Sequence, residues 1–205
     1  MKFVCEKALL VSAISVASRT VAPKSPMAAL EGIHVHAGMK LQLTGYNLET
    51  GITVSVPAEI VETGTCILPA RLFFDIVRKL PDEEVTVSVD DNYKVSIRCG
   101  ISSFTITATD AENYPELPDV EYANGVSIPR ALKELISGTI FAVSENQTRP
   151  VHTGCRFEVT ETDITVVAVD GYRLALRRFH FEEAAGRVMT FVAPGAALKE
   201  VEKIL

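Results

Sequence analysis

The chain has 205 residues, 47% of them hydrophobic and 22% charged, and a formal net charge of −6. That length suits one large or two smaller domains, and the composition is that of a globular protein and not a disordered one. The negative balance excludes a protein that coats nucleic acid with its whole surface, so any contact with a polyanion depends on where the cations sit.

MKFVCEKALLVSAIS has the apolar bias of a leader, but Glu6 and Lys7 interrupt it, which predicts a first strand and then a helix over 6–19. No apolar run reaches the 18 residues a membrane-spanning helix needs. A Pro/Ser-rich loop, APKSPM, precedes alternating strands that begin at Gly32. Pro69 opens a second helix over 69–80, as suits Pro at a first helical position. Val85, Val87 and Val89, then Phe104, Ile106 and Ala108, alternate with polar residues, the pattern of a half-buried antiparallel sheet. DAENYPELPDVEYANGVS, rich in Pro, Asp, Glu and Gly, reads as a linker with the boundary near Val120, giving domains 1–120 and 121–205. Beyond it come a helix over 129–142, strands from Gly154, a tight turn at Asp170-Gly171 and a helix over 194–205. Cys5, Cys66, Cys99 and Cys155 are scattered in apolar stretches with no CxxC pair, so they are expected as reduced core thiols in a cytoplasmic protein. Spacing alone leaves a disulfide open.

Three landmarks recur in order. Ala8 and Ala131, Gly32 and Gly154, and Pro69 and Pro194 lie 123, 122 and 125 positions apart, each pair in a similar local pattern. The chain therefore reads as two copies of one α+β unit, helices on antiparallel sheet. The second copy stops at Leu205 without counterparts of residues 81–109, and the expectation is a piece of something longer. The four predicted helices sum to +4 while the remainder holds −10. On charge alone, chance and the helix propensity of Lys and Arg are the favoured account; the sharper alternative is a shared basic face that meets phosphates loosely.

MKFVCEKALL, LPARLFFDIVRKLPD, ATDAENYPELP, TRPVHTG and VAVDGYRLAL together resemble, in order and along the whole chain, the bacterial DNA sliding clamp family, the β subunit of DNA polymerase III. The resemblance implies the DNA-clamp fold: repeated units whose helices line a DNA-facing hole, three domains per subunit and two subunits per ring. On it this chain supplies domain 1 and a truncated domain 2, with the third absent. It implies a non-catalytic processivity factor without cofactor or membrane attachment. Its partners are double-stranded DNA, bound without sequence preference, the polymerase α subunit, the clamp loader and other proteins carrying clamp-binding peptides.

The resemblance assigns DNA contact to Lys24 and Arg71, and to Asn146 and Arg149 in the loop SENQTRPVH. All four can donate to phosphate oxygens. Arg19, Arg78 and Lys79 join them only on the helix-face argument, where a solvated face serves equally well. The resemblance gives half of the partner-peptide groove to Val169, Gly171, Tyr172, Arg173 and Leu174, with His152 from a neighbouring strand, the rest coming in the family from the absent third domain. His152 stands where the family usually has an apolar residue, often Leu, and Val169 where Thr is common. Those departures leave the pocket's detailed shape and peptide preference open, and His152 offers a route to pH sensitivity. Phe104 and Ile106 match the subunit interface, against the alternative that their strand faces its own core.

Two other readings stay in view. A peptide-binding adaptor with incidental helix charge needs no ring. A metal-dependent hydrolase would use His34 and His36, two apart on one strand face, but no carboxylate cluster accompanies them. GxSxG, Walker-type and HExxH motifs are absent from the sequence.

Overall fold

Phe3 and Cys5 point into the core from strand β1 (Lys2–Glu6), which runs directly into helix α1 (Lys7–Ala17). The computed structural model describes residues 1–22, 24–120, 125–128, 131–182 and 185–205. It divides into two units, Met1–Pro118 and Asp119–Leu205.

The first unit continues with β2 (Gly32–Ala37), β3 (Leu41–Tyr46), β4 (Gly51–Val56), β5 (Glu59–Glu62), β6 (Gly64–Pro69), α2 (Ala70–Lys79), β7 (Glu84–Val89), β8 (Lys94–Cys99) and β9 (Ser102–Thr107). Two antiparallel sheets result, in the orders β5-β1-β7-β8-β9 and β4-β3-β2-β6. Leu10, Ala13, Ile14 and Ala17 of α1, and Ala70, Phe73 and Val77 of α2, recur at helical spacing and face the core. They meet Ile33, Val35, Leu41 and Leu43 of one sheet and Val85, Val87, Val95 and Ile97 of the other. Burying each larger side chain contributes roughly 1.5–3 kcal/mol. Arg78 and Lys79 in the last turn of α2 complement its negative end.

A strap follows β9 and crosses the outward side of the β4-β3-β2-β6 sheet. Thr109 exchanges backbone hydrogen bonds with Ile67 of β6, both 2.9 Å. Tyr114 stacks on His34 of β2 at 4.9 Å and donates its hydroxyl to the Thr44 carbonyl of β3 at 3.3 Å. Leu117 lies over Gly51 of β4, where any side chain would collide with it. Burial pushes the Tyr114 phenol up to about 12.

The second unit comprises α3 (Leu132–Ser137), β10 (Gly154–Val159), β11 (Asp163–Val169), β12 (Leu174–His180), β13 (Met189–Pro194) and α4 (Gly195–Ile204). Its sheet runs β12-β11-β10-β13, the same order as β4-β3-β2-β6. The repeat landmarks coincide in register: Gly32 pairs with Pro69, and Gly154 pairs with Pro194. Glycine is required at both because a Cβ would press into the partner strand's backbone, at Leu68 in one copy and Ala193 in the other. Phe157, Ile164, Val166, Leu135, Ile136 and Leu198 are among the residues that form this unit's core.

Several boundaries differ from the sequence expectations. Pro69 and Pro194 end strands and cap helices, one residue before the first helical position. The third helix is only six residues long, because Gly138 caps it and the buried Thr139 hydroxyl turns back to the Leu135 carbonyl at 2.8 Å. A 3-10 turn at Ile140–Ala142 replaces its predicted end, while residues 129–130, including Arg130, lie outside the described residues. Part of the predicted linker, 121–124, does too. All four cysteines are buried free thiols, and burial pushes Cys66 up to about 12 and Cys5 up to about 11. Among the described residues no helix is long and apolar enough to cross a membrane.

Candidate functional site

The turn at 170–173 joins β11 to β12 and is built by one carboxylate. Asp170 Oδ1 accepts the backbone N–H of Tyr172 at 3.0 Å and of Arg173 at 3.1 Å, and Oδ2 accepts Arg173 Nε at 2.8 Å. Gly171 takes φ +96°, the left-handed region that favours glycine. The Tyr172 amide first, then the Arg173 amide and guanidinium, hold the Asp170 carboxyl below its ordinary range. Pinned this way, the turn leaves Tyr172 fully exposed.

Beside it lies a concavity of about 950 Å³. Gly171, Tyr172 and Arg173 line it together with His152. Asn146 and Arg149, assigned from sequence to DNA contact, line the same concavity. Two residue sets that the sequence kept apart are thus brought together. Val169 and Leu174 lie outside the lining; they are cross-strand partners at the base of the hairpin, Val169 half-buried and Leu174 exposed.

His152 is not on a strand. Pro150 opens a 3-10 turn over Pro150–Thr153, closed by the Thr153 hydroxyl donating to the Pro150 carbonyl at 2.8 Å, and the strand starts only at Gly154. The His152 carbonyl accepts the Ser144 amide at 2.8 Å, tying this turn to the 144–149 loop.

Phe141, Asp170 and Lys199 also line the concavity and were not singled out from sequence as site residues. Phe141 is exposed and lies under the Arg173 guanidinium, 5.9 Å from Cζ to ring centroid. Its lone position in a 3-10 turn carries no periodic signal. Lys199 lies on a helix whose charges cancel, so its sequence carries no signal either. Arg149, Arg173 and Lys199 against Glu145 and Asp170 leave the lining mildly cationic, suited to a ligand with both apolar and acidic groups.

In the first unit Lys24 is exposed in its loop, and Arg71 is exposed in the first turn of α2. Arg71 lines a separate cavity of about 420 Å³ with Ser15, Ser18 and Phe74. Arg19 sits half-buried in the 3-10 turn Ser18–Thr20. Lys79 is exposed, whereas Arg78 pairs with Asp75 at 3.4 Å and lies over the Phe74 ring. Ile106 is buried in its own unit's core at 8% exposure, so its side chain forms no outward surface; Phe104, on the same edge strand, is 42% exposed. His34 stacks on Tyr114, and its pKa is lowered by burial and then by His36. Among the described residues no group of three or more His, Cys, Asp or Glu is placed to hold a metal, so the hydrolase reading gains no ligand set.

The family model described as DNA polymerase III beta subunit, N-terminal domain, matches residues 1–118, and that described as its central domain matches 128–205. The beta sliding clamps of Staphylococcus epidermidis and Bacillus subtilis are 32% and 34% identical over 215 residues. All of this chain aligns, against 57% of either relative, so the chain spans little more than half the length of the curated relatives it matches. The crystal structure of the DNA polymerase sliding clamp from Bacillus subtilis gives a TM-score of 0.93 at 34% identity, covering 100% of this chain and 57% of that one. The beta subunit from DNA polymerase of Streptococcus pyogenes gives 0.90 at 26%, covering 100% and 56%. With both domain models matched in order and the fold shared throughout, this chain belongs to the DNA polymerase III beta subunit family.

Proposed function

We propose that the chain is the N-terminal and central part of a processivity factor for a bacterial replicative polymerase. At full length it forms a dimeric ring that encircles duplex DNA, slides on it and tethers the polymerase α subunit, the clamp loader and other partners through short peptides. The second domain then gains its late strands, and a third domain follows. The protein acts in the cytoplasm and performs no chemistry itself. Topological linkage supplies processivity, so phosphate contacts from Lys24, Arg71, Asn146 and Arg149, assisted by Arg19, Arg78 and Lys79, can be individually weak. Subunits pair along the β9 edge, with Phe104 as the side-chain contact.

The observation that carries this reading is the concavity walled by His152, Gly171, Tyr172 and Arg173 in a chain of this family. Its lining mixes apolar Ile140, Phe141 and Val143 with the cations Arg149, Arg173 and Lys199, which suits a short peptide with apolar anchors. The test uses the full-length protein loaded on a nicked circular plasmid and on the same plasmid linearised. At ~0.2 M salt, where loose phosphate contacts are weak, the protein stays on circles and runs off linear DNA. Equal loss from both forms refutes encirclement and leaves the adaptor reading, which needs only peptide binding.

A further inference from the structure

The two oxygens of Asp170 do separable work. Oδ1 builds the turn by accepting the Tyr172 and Arg173 amides, a task an asparagine performs equally well. Oδ2 contributes nothing to the turn; it accepts Arg173 Nε at 2.8 Å. The Arg173 guanidinium is thereby held on one edge by a carboxylate and on one face by the Phe141 ring. Its Nε–H is spent on Asp170, which leaves the four N–H groups of the terminal nitrogens for a ligand in the concavity that Arg173 lines. A guanidinium fixed in advance loses less freedom when it engages a carboxylate in bidentate fashion.

We propose that Asp170 is a positioning residue for the peptide groove, orienting Arg173 to receive a carboxylate on the partner peptide. The proposal rests on the groove reading above. Arg149 and Lys199, on the same concavity, add attraction for the acidic group without fixing its direction.

The experiment measures binding of two octapeptides to the full-length protein by NMR titration. Both carry leucine and phenylalanine anchors; one has a glutamate where the other has glutamine. The readout is the ratio of the two affinities. An exposed, pre-oriented ion pair predicts a preference for the glutamate peptide of about three- to fivefold in the wild type. In Asp170→Asn the turn amides keep their shifts and the ratio falls to the residual preference that Arg149 and Lys199 supply, the same value as in Arg173→Ala, with nothing further lost in the double variant. A merely structural role for Asp170 weakens both peptides together and keeps the ratio, which overturns the proposal. So does a wild-type ratio of one. Full-length wild-type protein that binds neither peptide refutes the groove reading itself, a result distinct from an unchanged ratio.

Discussion

Tyr114 is the middle fastening of the strap that crosses the β4-β3-β2-β6 sheet, and its side chain can be dismantled in two steps. Tyr114→Phe removes only the hydroxyl bond to the Thr44 carbonyl, which at 3.3 Å is long, so the cost is about 0.5 kcal/mol. Tyr114→Ala also removes the ring. Half-burial of an aromatic side chain contributes ~1–1.5 kcal/mol, and stacking on His34 at 4.9 Å adds ~0.5–1 kcal/mol. The expected total is about 2–3 kcal/mol, read from urea denaturation of the 205-residue chain followed by circular dichroism. The phenol adds a pH test. Its folded pKa is raised from 10.0 to about 12, so its contribution is whole below pH 10 and is lost as the pH rises through the folded value. The stability difference between wild type and Tyr114→Phe should shrink and then reverse sign across that window, because phenylalanine has no phenol to ionise in the unfolded chain. Equal costs for the two substitutions, or a cost below about 0.5 kcal/mol for Tyr114→Ala, would show that the strap is not fastened through this ring.

Gly154→Ala pushes a methyl into the Ala193 carbonyl and within 2.9 Å of Val192 Cγ1, so β13 must move and the urea midpoint should drop by the equivalent of about 1–3 kcal/mol; an unchanged midpoint contradicts the close approach. Thr139→Val removes the buried hydroxyl's bonds to the Leu135 and Ile136 carbonyls and should cost ~1 kcal/mol by the same assay. The four buried thiols should stay unlabelled by a thiol reagent in the native protein at mildly alkaline pH and all react after unfolding; rapid labelling of Cys66 would contradict its burial. Asp163 is held below its ordinary value of 3.8 by the Thr162 hydroxyl and then by His180. Its contribution is present above 3.8 and lost as the pH falls through the folded value, so Thr162→Val should flatten part of the acid-side stability loss in denaturation between about pH 5 and pH 2.

The repeat was legible because its landmarks are dictated by backbone contact. Gly32 and Gly154 face the strand that ends at the capping proline, so no other residue fits, and nearly the same spacing appears twice in the chain. The core-facing stripes of α1 and α2 were legible from their period for a similar reason. The third helix was not. Its apolar pattern continues past Ser137, but the Thr139 hydroxyl and Gly138 offer the backbone a local alternative that periodicity does not register. His152 was misassigned in the same way, since a pattern of alternating residues does not reveal the turn that Pro150 and Thr153 close.

The site divides along the same line. Arg173 and Tyr172 were visible because they occupy a turn where small polar residues are commoner, and turn positions that carry large side chains point to function. Asp170 was visible too, yet its turn chemistry explained it so completely that its second oxygen went unasked for. Only the fold shows that Oδ2 is directed at Arg173 Nε while Phe141, some thirty positions earlier, supports the other side of the guanidinium. A carboxylate that both shapes a turn and aims its neighbouring cation places the fixed charge and the backbone of the hairpin under one control. A change at 170 that removes both oxygens therefore acts on two quantities at once, whereas Asp170→Asn separates them.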